Sequence, residues 1–148
     1  NGTLEVVKGS HKVLCKHRSP TLPWVFDELN DVLKAKYLQP FEFTAGHAAI
    51  IDDGILHWSS ENNTPVVRTA VQLIMAPADA DTIHLYKAPG RDDTQVYKVD
   101  PLFFMQYNMK DIPEGYNVID RKDIRLKKLS ESEFKKVIAV QNPEIAYI

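Results

Sequence analysis

Gly46-His47-Ala48-Ala49-Ile50-Ile51-Asp52-Asp53-Gly54-Ile55-Leu56-His57-Trp58-Ser59, followed after Glu61-Asn62-Asn63-Thr64-Pro65 by Arg68-Thr69-Ala70-Val71-Gln72-Leu73, is the stretch that decides the fold. Its apolar runs are short and separated by Gly, Asp, Asn and Pro, the residues that make turns between strands. Residues 41–43, 48–51, 55–58 and 67–75 are therefore predicted strands. Successive side chains of a strand point to opposite faces, so His57 and Ser59 share one side. So do Arg68, Ala70, Gln72 and Ile74, which sets a polar face inside a mostly apolar block. A simple hairpin turning at Asn62-Asn63 would put His57 directly opposite Arg68.

Outward from this block, residues 4–8 favour a strand that Gly9-Ser10 stops. Pro23 suits a first helical turn, and Trp24, Phe26, Leu29, Val32 and Leu33 recur at helical spacing, predicting a helix over 23–36. Residues 82–87 and 94–99 form a predicted hairpin. Asp100 is a helix N-cap ahead of Phe103, Phe104 and Tyr107, whose stripe belongs to a core. Ser130 and Glu133 have capping-box spacing and start a terminal helix over 131–140. The class is mainly β with flanking helices.

The bulk properties narrow the function classes. A chain of 148 residues with 44% hydrophobic and 26% charged residues is an ordinary globular domain. A net charge of −2 supplies no basic field, so nucleic acid is not an expected partner. No apolar run approaches the ~20 residues of a membrane span, so no membrane association is expected. The single cysteine, Cys15, excludes an internal disulfide and reads as a small buried hydrophobe in a reducing, cytoplasmic setting. The chain opens at Asn1 with neither a methionine nor a leader, as a piece of a longer sequence would.

No phosphate-cradling loop, GxSxG elbow, HExxH or CxxC is present. Of the five histidines, His17 sits in a polar stretch, His84 alternates with apolar residues, and His11 reads as structural. Gly9, Ser10 and Gly46 read as turn residues. His57 alone has surroundings that suggest chemistry.

Those surroundings resemble the distal-histidine segment of the phytanoyl-CoA dioxygenase family, in which a Gly-led apolar strand, a turn and His-x-Ser precede an arginine opening the last barrel strand. The opening Asn1-Gly2-Thr3-Leu4-Glu5-Val6-Val7-Lys8-Gly9-Ser10-His11-Lys12 is similar to that family's Asn-Gly-x-Leu…Pro-Gly-Ser-His segment, with Lys8 in place of the proline. The resemblance covers about residues 1–75. It implies a double-stranded β-helix, or jelly-roll, incomplete at the N-terminus, with 1–75 as part of its core and 76–148 as an extension on the same domain. In that topology residues 57 and 68 lie in facing sheets and both enter the barrel.

The resemblance also implies an iron(II)- and 2-oxoglutarate-dependent dioxygenase hydroxylating a small organic substrate with O2. Such iron is held by two histidines and a carboxylate on one face. His57 takes the place of one iron ligand, and is on that account the catalytic residue. Arg68 and Ser59 match the positions that bind the far carboxylate of 2-oxoglutarate, where a guanidinium offers two parallel N–H bonds. Gln72 is a candidate for the cavity wall. The family's other two ligands form a His-x-Asp pair just upstream of the Asn-Gly segment. No histidine here has Asp or Glu two positions on: those positions hold Val13, Ser19, Ala49, Ser59 and Tyr86. The missing ligands and barrel strands are expected from an upstream segment or another chain. A related halogenase, with a small residue replacing the carboxylate, and a non-catalytic jelly-roll binding module are the alternatives.

Overall fold

The computed structural model describes residues 2–13 and 17–139. Cys15 lies outside them. The chain is mainly β, with two three-stranded antiparallel sheets and three short α-helices among the described residues, and it divides into two compact units. Among the described residues the first comprises 2–13, 26–71 and 128–139; the second comprises 17–25 and 72–127.

In the first unit, β1 (Leu4–Val7) is the central strand, with β2 (Leu38–Pro40) on one side and β3 (His57–Ser59) on the other. The helix expected over 23–36 is shorter. Helix α1 spans Asn30–Lys36, preceded by a 3-10 turn at Asp27–Leu29. Its core is Val6, Val7, Phe26, Leu29, Leu33, Leu56 and Phe134, all under a tenth exposed. Phe134 comes from α3 (Glu131–Ala139) and meets Phe26 and Tyr37 edge-on, at ring-centroid distances of 5.9 and 5.5 Å. The predicted capping box forms. The Ser130 N–H donates to Glu133 Oε2 at 2.9 Å, and the Glu133 N–H donates to Ser130 Oγ at 3.3 Å, so two amides at the helix start are satisfied reciprocally.

In the second unit, β5 (Thr94–Lys98) lies between β4 (Ile83–Tyr86) and β6 (Val118–Lys122). The predicted hairpin is β4–β5, with Leu85 opposite Val96 and His84 opposite Tyr97. Side-chain alternation covers the sheet on both faces. Leu85 and Val96 pack with Leu22 and Ile124 on one side, while Tyr86 and Tyr97 pack with Val99 and Phe103 on the other. Thr21 links its segment to β4 by accepting the Lys87 N–H at 3.0 Å. Helix α2 (Phe103–Gln106) starts as Asp100 dictates: its Oδ1 accepts the Leu102 and Phe103 amides at 2.8 and 3.1 Å. Strand β6 was not expected. Every residue of it is exposed, so it carries no buried alternation to betray it.

The largest departure lies in residues 41–55 and 60–80, where the predicted strands at 41–43, 48–51 and 67–75 do not form. No closed barrel occurs among the described residues. Val66, Val67, Val71, Leu73, Ile74 and Met75 are each 70–86% exposed. Strands exist only by pairing, and no described strand pairs with these residues, so their β-forming composition goes unused.

No described helix is long and apolar enough to cross a membrane.

Candidate functional site

The candidate site is built around the β1–β3 pairing. Leu4 stands opposite Ser59, Glu5 opposite Trp58 and Val6 opposite His57. Both ends of this register are fixed by small residues. Gly2 has φ +71°, a left-handed conformation that glycine adopts freely, and a Cβ there would stand 2.9 Å from the Ser60 carbonyl oxygen. At the other end Gly9 is also left-handed, at φ 82°, and turns the chain so that Ser10 Oγ accepts the Leu56 N–H at 2.8 Å. The Val7 N–H donates to the Leu56 carbonyl at 2.9 Å. The residue immediately before His57 is thus tied to the β1 segment through both its amide and its carbonyl.

Ser10 is 1% exposed, so replacing its hydroxyl would strand a buried amide. Ser10→Ala is expected to cost about 1–3 kcal/mol, the usual penalty of an unsatisfied buried donor. Urea denaturation of both proteins measures it, and a loss under about 0.5 kcal/mol would show that β3 is not anchored this way.

His57 and Ser59 are exposed and point to the same side of β3. Trp58 points to the other side, where the Lys34 ammonium of α1 lies 5.8 Å from its ring centroid. The face carrying His57 is therefore the one turned away from α1. His57 Nδ1 lies 3.0 Å from the Ile55 carbonyl oxygen. A carbonyl only accepts, so Nδ1 carries a proton in this contact, and in the neutral ring Nε2 is then the nitrogen with a lone pair for a ligand role. A backbone carbonyl holding the distal ring nitrogen is the usual support of a metal-binding histidine.

Arg68, the remaining candidate of the first unit, is not assembled around it. Arg68 is exposed, sits in the irregular stretch after Pro65, and has no hydrogen bond or ion pair to His57 or Ser59. The facing-strand placement expected for residues 57 and 68 is not present, and neither is a simple hairpin, because residues around Arg68 form no strand. Asn62 instead organises a local turn, donating through Nδ2 to the Val66 carbonyl and accepting the Thr64 N–H. Gln72 is exposed and belongs to the second unit. Ser10, which the sequence marks only as a turn residue, and Gly2 act as positioning residues, a role that shows only once the two segments are paired.

No group of three His, Cys, Asp or Glu side chains able to hold a metal occurs among the described residues. Of a two-histidine, one-carboxylate iron set, His57 is a suitable member, and the other two positions have no counterpart beside it among the described residues.

Two groups outside this face are strongly shifted. Arg91 and Arg121, each at 2.7 Å, hold the Asp93 carboxyl down at about 2, and the hydrogen bond to Asp100 pushes the Tyr116 phenol up to about 12. Both are exposed pairings at the second unit's surface.

No protein-family model, curated protein or solved structure matches the chain.

Proposed function

We propose that this chain is the carboxyl-terminal part of an iron(II)- and 2-oxoglutarate-dependent dioxygenase of the phytanoyl-CoA dioxygenase type, acting on a small organic substrate. The observation that carries it is the pairing of two segments about fifty residues apart in sequence. The Asn-Gly-x-Leu…Gly-Ser-His stretch and the His-x-Ser element, each similar to that family on separate grounds, lie side by side in register, with Val6 opposite His57. Chance likenesses in a sequence have no reason to be neighbours. The β2-β1-β3 order, in which a later strand returns beside the first, is compatible with part of a jelly-roll sheet.

In this proposal His57 offers Nε2 to iron, and Ser59 on the same face offers a hydroxyl to the cosubstrate. Arg68 meets the far carboxylate of 2-oxoglutarate once residues 67–75 are paired as a barrel strand. When bound, iron and 2-oxoglutarate supply the oxidising chemistry. This chain's own residues hold, orient and neutralise. The two remaining ligands and the pairing strands come from an upstream segment or another chain.

The test is the coding sequence ahead of Asn1. His-x-Asp shortly before it is the expected result, while His-x-Gly or His-x-Ala would indicate a halogenase of the same fold. An uninterrupted upstream sequence with no such histidine pair would overturn the oxygenase assignment and leave a binding module.

A further inference from the structure

We propose that the second unit contains an acid-operated clasp, in which protonation of His84 detaches α2 and the segment beyond it from the face of the β4–β5–β6 sheet. His84 is 3% exposed and its Nε2 is buried without a hydrogen-bond partner. The ring lies 4.9 Å from Phe103 and 6.2 Å from Phe104, centroid to centroid. Phe103 is fully buried and is also the hub for Tyr107, stacked at 5.1 Å, and Tyr116, edge-on at 5.3 Å. One histidine is therefore packed into the aromatic contacts that hold α2 down.

A neutral imidazole tolerates this setting, at the cost of one unsatisfied nitrogen. An imidazolium does not, because a second N–H would then point into apolar surroundings with no acceptor. Among the described residues no carboxylate hydrogen-bonds the ring, and the charged groups nearest in the fold are already engaged. Across the sheet His84 faces Tyr97, and the next residue, Lys98, is paired with Asp81 at 2.6 Å. Ahead of α2, Asp100 is engaged by the Tyr116 hydroxyl at 2.7 Å and by two helix amides. Beyond α2 come Tyr107, Tyr116, and the exposed Lys110 and Asp111 next to Met109, whose backbone hydrogen-bonds the histidine. Burial consequently depresses the His84 pKa below its ordinary value, and the Met109 contact only partly offsets it.

The sign follows from linkage. With the closed-state pKa depressed, the open state binds more protons, so closure is fully favoured above about pH 6.5 and weakens as pH falls toward the closed-state pKa. Within that window the opening equilibrium shifts by up to tenfold per pH unit. What opens is a helix of only four residues, held by aromatic packing and by its Asp100 cap rather than by its own length.

The experiment is amide hydrogen exchange on the whole chain between pH 7.5 and 5, with protection factors corrected for intrinsic rates. The Gln106 and Tyr107 amides, which donate to Leu102 and Phe103, report on the clasp, and the β4–β5 ladder amides serve as the internal reference. Wild type should lose about tenfold or more of its α2 protection across this range while the ladder keeps its own, and His84→Phe should abolish the difference. A pH-independent α2 in wild type, or an undiminished drop in His84→Phe, would overturn the clasp. Direct titration of the His84 ring in wild type by NMR does not depend on the variant folding, and a pKa at or above 6.5 with α2 still protected would be equally decisive against it.

Discussion

On the proposed dioxygenase reading, Arg68→Ala is expected to weaken 2-oxoglutarate binding by roughly thirtyfold to several-thousandfold in iron-loaded protein carrying the complete ligand set, because losing one partner of a buried hydrogen-bonded charge pair costs about 2–5 kcal/mol. The large figure applies only if the arginine is taken from its present exposed position into a barrel interior. There the cosubstrate's far carboxylate would otherwise be an unpaired charge in low dielectric. Arg68→Lys keeps the charge and loses the planar fork of donors, so it should fall clearly short of wild type while remaining better than alanine. Titrating 2-oxoglutarate under anaerobic conditions and following the metal-to-ligand absorption band separates the three proteins. Equal dissociation constants would leave Arg68 a solvated surface arginine, which is how an exposed charge beside Pro65 behaves without a barrel around it.

The elements legible in the sequence are those whose cause is local or whose partner lies within the described residues. The 131–139 helix was readable because Ser130 and Glu133 specify its start, and α2 because Asp100 does. The β4–β5 hairpin was readable because alternation places Leu85 and Val96 on one face and His84 and Tyr97 on the other. Residues 67–75 have a strand-forming composition and yet form no strand. Composition supplies a preference for a pleated, half-buried surface, while a strand needs a neighbour's amides and carbonyls. Strand β6 failed in the opposite way: Val118-Ile119-Asp120-Arg121-Lys122 is exposed throughout and owes its pairing to β5. For the candidate site, His57 and Ser59 were readable as one strand face. The anchoring of Leu56 by Ser10 was not, because it joins residues 46 apart that only the folded β1–β3 register brings together. Arg68 was readable as a charge of the right chemistry but not as a positioned one.

Phe134→Ala is expected to destabilise the first unit by about 3–5 kcal/mol, the range for removing a buried aromatic ring that its surroundings cannot collapse to fill. Phe134 is fully buried, and its ring is gripped edge-on by Phe26 and by Tyr37, so its loss removes both aromatic contacts and opens a cavity beneath α3. The polar contacts around it are poor substitutes. Glu131 accepts from the Tyr37 hydroxyl at 3.1 Å and pairs with Lys36 and Lys135 at 3.4 and 3.0 Å, but the two lysine side chains are each 59% exposed and such pairs contribute little. Glu131→Gln should therefore be close to neutral, and Phe134→Leu, which refills most of the cavity, should lie between the two. Set against the ~5–15 kcal/mol that holds an ordinary domain, a loss of this size leaves the unit marginal. Trp58 reports on this unit in a Trp24→Phe background, so urea titration followed by tryptophan fluorescence measures it. A cost below about 1 kcal/mol for Phe134→Ala would mean that α3 contributes its capping box and its surface charges but no core.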